Sequence, residues 1–459
     1  SNIVKKKSKT FERILSNLSS STSMKTPDFE RQIGIDTYSS TLPGIQGKIR
    51  VLIDDFNVKE IFLYPSAKEQ GTFTIAEVTT RNWDTHRVVQ EIARRLHLSQ
   101  RRISFAGTKD KRALTTQLMS FDHVPPEMIQ SLRIKDVTFT NIYQSDVPVR
   151  IGQLHGNCFE IIIRDIAKEV KPEQITSLIS PFETWGGFPN FYGVQRFGII
   201  RPITHLVGKY IIQGDFEKAA MTYIAHPIKG EDEETYRLRD ELEQTRDYSK
   251  AFHTYPETLN YEKAMLNRLI QDPTDFPGAF TQLPKNLILM FVNAYESFLF
   301  NKILSQRIQQ DIPLHQAVVG DIVLPVRKNE ITTEYIPVSA TNIEKVNTQI
   351  SKKKAVVSGL LLGYDAPVAK GDMGEIEHHI ISTEQIDPRD FIIPEIPFLS
   401  SSGSRRPVLA LLPSVEWTLQ SDEISTQHQA LLLRFQLHKG CYATSFLREI
   451  MKSDNPQNY

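Results

Sequence analysis

An α/β fold interrupted by a mainly helical stretch is what the sequence predicts, and three observations carry it. Up to about Gly186, short alternating or continuous apolar segments flank one strongly amphipathic helical pattern. Beyond that point the texture turns helical, most clearly in "LPKNLILMFVNAYESFLFNKILSQRI". After the Ser/Gly/Arg-rich "LSSSGSRRP" at residues 399–407, alternation returns in "LLLRFQLHKG".

Element by element, the chain opens with a Ser- and Lys-rich stretch without apolar periodicity, read as a flexible extension over residues 1–24. From Lys48, "KIRVLIDDFNVKEIFLY" predicts a strand, a turn at Asp54 and Asp55, and a second strand; "GTFTIAEVTT" alternates as a further one. "DTHRVVQEIARRLHL" predicts a helix capped by Asp84 or Thr85, with Val88, Ile92 and Leu96 on its buried face. "ISFA", "TTQLMSF" and "NCFEIIIRDI" follow as strands, the last with Phe159, Ile161 and Ile163 on one side. "HLVGKYIIQGDFEKAAMTYIA" adds helices to the middle region.

A chain of 459 residues with 40% hydrophobic content can bury more than one core, so two or three domains are expected. Its longest unbroken apolar runs, such as "LILMFV", fall far short of the roughly 18 residues of a membrane span. The basic N-terminus lacks the apolar core of a signal peptide. Two cysteines, Cys158 and Cys441, cannot make a disulfide framework or a four-thiolate metal site, and a reducing, cytoplasmic setting is expected. Net charge is zero, yet it is unevenly spread. Arg94, Arg95, Arg101, Arg102, Lys109, Lys111 and Arg112 stand against the single acid Asp110, whereas "KGEDEETYRLRDELEQTRD" is acidic. The first run suits phosphates, and the second a solvated helical face.

No HExxH, CxxC or phosphate-cradling GxxxxGK[ST] occurs, and His378 and His379 are adjacent and so point apart in a regular element. "GGFPNFYGVQRFG" is dense in glycine and aromatics without the spacing of a dinucleotide fingerprint; it suits a packed loop or a surface for stacking bases. That leaves Asp110 in "FAGTKDKRALTTQ". A carboxylate among cations is favoured in its ionised form, and shielded from water it becomes a nucleophile or base. The alternative is a surface turn in which Asp110 supports its own backbone.

The segment "FAGTKDKRALTTQ" resembles the GxKDKxAxTxQ signature of the TruD family of tRNA pseudouridine synthases. Four further segments are similar to that family's, in its order: "IDDFNVKEI", "GNCFEI", "GGFPNFYGVQRFG" and "KGCYATSFLREI". Together they reach from about Ile49 to Met451.

The resemblance implies a pseudouridine synthase catalytic domain with a mixed sheet, made of residues 25–186 with 406–459, and a mainly helical, family-specific insertion at 187–405. It implies isomerisation of uridine 13 of tRNA to pseudouridine, without metal, nucleotide or other cofactor, and tRNA as the partner; oligomeric state is not implied. Asp110 matches the catalytic aspartate, which attacks either the ribose or the pyrimidine ring. Phe56, Asn157 and Tyr442, with Phe159 close by, match the uridine pocket, although Phe56 and Phe159 also suit a core and Asn157 a turn. Tyr442 departs from the phenylalanine of some members, and a phenol still stacks. The basic partner of the aspartate falls at Arg50, often lysine in the family; its planar guanidinium can hold a carboxylate by two hydrogen bonds. Arg448 is the next candidate. Lys109 and Lys111, pointing away from Asp110 in an extended segment, are expected at phosphates. An inactive RNA-binding protein of the same fold and a nucleoside hydrolase are the competing readings; retention of Asp110, Asn157 and Tyr442 argues against the first, and release of free uracil would mark the second.

Overall fold

The alternating segments of the N-terminal half pair into one mixed sheet, seen in a computed structural model whose described residues are 24–459. Six strands precede the middle region: β1 (Phe56–Phe62), β2 (Phe73–Arg81), β3 (Ile103–Phe105), β4 (Leu114–Asp122), β5 (Val137–Ser145) and β6 (Leu154–Ile166). Two more, β7 (Val415–Ser421) and β8 (Gln429–His438), come after it. Their order is β7-β8-β6-β1-β4-β2-β5, with β3 also on β4. Only β1 and β4 run parallel, and such a pair requires the crossover that β2, a helix and β3 supply.

Helices cover one face of this sheet. α1 (Thr85–Leu96) begins where the Asp84 side chain accepts from Arg87 N at 2.9 Å, so Asp84 is the cap. Its Val88, Ile92 and Leu96 bury against Ala76, Val78, Met119 and Phe121, and α2 (Pro126–Ser131) adds Ile129. At the other end, α3 (Pro172–Trp185) and α4 (Ala443–Met451) pack Ile175, Phe182, Phe446 and Ile450 on Phe56, Val58, Ile161 and Leu433. Val58 is level with Thr115 on β4, whose alternation leads on to Met119 and Phe121, so both helix groups share one face. The β1–β4 junction lies between them.

The strand expected from Lys48 does not form. Lys48 makes an isolated bridge to Arg164, Ile53–Asp55 is a 3-10 turn, and Arg50 adopts a left-handed φ of 58°. The reason is Asp55, which accepts from Leu52 N at 2.9 Å while gripping the buried Arg164 with both oxygens at 2.8 Å. That grip turns the chain before β1 can begin.

The described chain divides into two compact units, residues 42–188 with 410–459, and residues 24–41 with 189–409. Apart from Met24, the N-terminal extension lies outside the described residues. Residues 25–41, expected with the sheet, go with the helical unit because residues 33–36 run along its helix Lys285–Gln309: Asn301 Nδ2 donates to Ile33 O and Ser305 Oγ to Gly34 O, both at 2.9 Å. That helix is long and apolar enough to cross a membrane, but 67% of its most apolar stretch is buried inside the protein. A small five-stranded sheet, unforeseen, also belongs here. The second half of "LSSSGSRRP", expected as loop, is its strand Ser404–Pro407, drawn in by Arg405, which is buried against Glu377 at 2.9 Å.

Candidate active site

The loop of residues 107–112 joins β3 to β4 and is held from beneath by buried polar side chains. Thr85, the first residue of α1, accepts from Lys109 N at 2.8 Å and donates to Gln117 Oε1 at 2.9 Å; Gln117 Nε2 in turn donates to Gly107 O at 2.9 Å. A fourth tie comes from β1. Glu60, 1% exposed, accepts from Lys109 Nζ at 2.7 Å with one oxygen and from Leu118 N at 3.1 Å with the other. Lys109, expected at phosphate, is thus an inward-facing anchor with an 8% exposed side chain. The loop is irregular, so strand alternation does not govern where its side chains point.

Fastened in this way, the loop presents Asp110. Arg50 Nη2 stands 3.1 Å from Asp110 Oδ2, with the arginine side chain 14% exposed and the aspartate 57%. The Arg50 guanidinium also lies over the Phe56 ring, 4.1 Å from its centroid. Phe56 is a core residue at 4% exposure, and Phe159 meets it edge-on at 6.2 Å while stacking on Phe435 at 5.2 Å. Both therefore belong to the apolar floor of the site and to the core beneath it.

Asn157 sits on β6 opposite Glu60 of β1 and Leu437 of β8. Gly156 before it lets β8 approach, since a Cβ there would come 2.0 Å from Leu437 O. Two polar atoms here are buried without a hydrogen-bond partner, Asn157 Oδ1 and Arg50 Nε. One is an acceptor and the other a donor. Tyr442, half-buried, is the N-cap residue of α4. Arg448 is buried in that helix and donates to Glu449 at 2.7 Å.

The basic run is more neutralised than its composition indicates. Arg94 and Arg95 share Glu91 at 2.8 and 2.7 Å, and their hydrogen bonds hold its carboxyl down at about 2. Arg102 is spent on the Asp122 and His123 carbonyls. Among the described residues, the side chains of Arg101, Lys111 and Arg112 have no such partner, and Lys111 and Arg112 are exposed beside Asp110. Glu60, Thr85 and Gln117 were absent from the sequence reading of the site. Two of them stand inside segments already singled out, "IDDFNVKEI" and "FAGTKDKRALTTQ", and an acid in a half-buried strand was a signal to look for a partner.

The family model for "tRNA pseudouridine synthase D (TruD)" matches residues 32–450. A relative from Methanosarcina acetivorans bearing the tRNA pseudouridine synthase D name is 42% identical over 439 residues, covering 94% of this chain and 98% of its own. One from Pyrococcus abyssi is 35% identical, covering 90% and 98%. A crystal structure of the Methanosarcina mazei protein, described by the same name, superposes with a TM-score of 0.84 at 40% identity, over 95% of this chain and all of that one.

Proposed function

This chain belongs to the tRNA pseudouridine synthase D family, and from that premise we propose that it isomerises uridine 13 of tRNA to pseudouridine, with Asp110 as the nucleophile. The carrying observation is the 3.1 Å pair of Arg50 and Asp110, which holds one carboxylate oxygen on a fixed cation while the group stays 57% exposed to an incoming nucleotide. The carboxylate forms a bond either to the ribose C1′ or to the pyrimidine ring, and the C1′–N1 bond breaks. The uracil turns, C5 bonds to C1′ as the carboxylate is released, the C5 proton leaves to solvent, and N1, freed from the ribose, takes up a proton. The product is an isomer of the substrate, with one proton exchanged with solvent, so the reaction draws on no oxidant, reductant or second substrate.

The target base must leave its stack to reach Asp110, and its extraction is offset by stacking and edge hydrogen bonds. The unpartnered Asn157 Oδ1 and Arg50 Nε supply an acceptor and a donor for a ring that carries an N–H between two carbonyls. Tyr442 and Phe159 offer aromatic surface. Lys111 is the phosphate contact, and Lys109 serves by fixing the loop. In this reading residues 42–188 with 410–459 are the catalytic domain and the helical unit is the family's insertion, and the enzyme works in the cytoplasm. The test is tritium release from C5 of labelled uridine in tRNA, with mapping of the modified position. Asp110→Asn should abolish release while leaving tRNA binding intact; substantial residual turnover would move the active site elsewhere, and free uracil would mark a hydrolase.

A further inference from the structure

Arg50 reaches Asp110 from a left-handed backbone conformation, φ 58°, that is unfavourable for a residue with a side chain. Such a conformation persists only when its neighbours over-determine it. Downstream, Leu52 N is bound to Asp55. Upstream, Lys48 exchanges two backbone hydrogen bonds with Arg164 at 2.8 Å, and the adjacent Ile49 N donates to the carbonyl of Asn458 at 2.9 Å. The C-terminal turn thus holds the residue immediately before Arg50.

That turn is built, and it lies past Ile450, where the family-model match ends. Pro456–Asn458 is a 3-10 turn started by Asn455, whose side chain accepts from Gln457 N at 3.0 Å. Asn458 Nδ2 donates to Ser453 Oγ at 2.8 Å, and Ser453 N donates to the Tyr459 hydroxyl at 2.9 Å. Tyr459 packs on the core that α4 helps to fill, and Tyr442 is the cap residue before α4. One helix therefore connects an aromatic wall of the site to the turn that supports its cation.

We propose that the C-terminal turn is a positioning element for Arg50, acting through the Asn458 carbonyl on the Ile49 amide to aim the guanidinium at Asp110. The inference rests on the role given to Arg50 above. Its test is a double-mutant cycle on single-turnover pseudouridine formation, combining deletion of residues 456–459 with Arg50→Ala, alongside tRNA affinity. Deletion alone should slow the reaction about 10- to 100-fold, the scale of a misplacement near 1 Å, with affinity unchanged. In the Arg50→Ala background it should cause no further loss. If deletion instead slows both backgrounds equally, or neither, the turn does not act through Arg50 and the proposal falls while the role of Arg50 stands. If Arg50→Ala itself turns over normally, both fall. Should the deletion fold poorly, Asn458→Ala, which removes the Ser453 tie, enters the same cycle, with Gln457→Ala at the exposed position beside it as the control.

Discussion

Replacing Lys109 by methionine separates an inward anchor from a phosphate contact. With side chains 8% and 1% exposed, Lys109 and Glu60 form a pair that water scarcely screens. Lys109→Met keeps the apolar stem but strands the Glu60 carboxylate with Leu118 N as its remaining partner. Breaking one side of a buried pair costs about 3–5 kcal/mol, whereas neutralising both sides is often near neutral. Each 1.4 kcal/mol is about tenfold in an equilibrium, so the single variant should shift local unfolding by roughly two to four powers of ten. The Glu60→Met/Lys109→Met double variant should recover most of that loss. Amide exchange at Leu118, with urea unfolding of the whole protein, reads the effect, and Lys111→Met is the exposed control. If Lys109→Met unfolds no more easily than Lys111→Met and instead weakens tRNA binding with a shallower salt dependence, the ammonium faces RNA and the anchor argument is wrong.

Thr85→Val keeps shape but leaves the buried Lys109 N–H and the Gln117 amide each short of a partner, a loss of about 1–3 kcal/mol per group; turnover should fall with it, and unchanged loop exchange would count against the scaffold. For tRNA binding, Lys111→Ala and Arg112→Ala should each flatten the slope of log K against log salt by about 0.7–0.9, while Arg94→Ala, already paired with Glu91, should change it less. In the helical unit, burial raises the Glu296 carboxyl from 4.5 to about 7 despite opposing help from Ser401 and Arg196. The folded protein holds that proton while the unfolded chain releases it, so its contribution to stability is full below pH 4.5 and is lost as pH rises toward 7. Glu296→Gln should flatten that slope in thermal midpoints recorded across the window, and an unaltered slope would refute the assignment.

The sequence by itself determined what local chemistry decides. Asp84 before an i, i+4, i+8 apolar face specifies α1, and short alternating or continuous apolar segments specify β2, β4 and β6, because capping and local burial are settled within a few residues. The segment around Asp110 was legible for a similar reason, since its residues are contiguous. Where each side chain points was not. Lys109 and Lys111 are equivalent in a charge count, yet Glu60, 49 positions earlier, claims only the first through the β1–β4 register. Arg50 reads as a strand residue until Asp55, Arg164 and Asn458 bind the backbone of its neighbours Leu52, Lys48 and Ile49 and hold it in a left-handed turn. Residues 33–36 carry no pattern that names the helix they dock on. In each case the deciding partner is remote along the chain, and only the tertiary structure brings the buried charge or orphaned amide to the group that satisfies it.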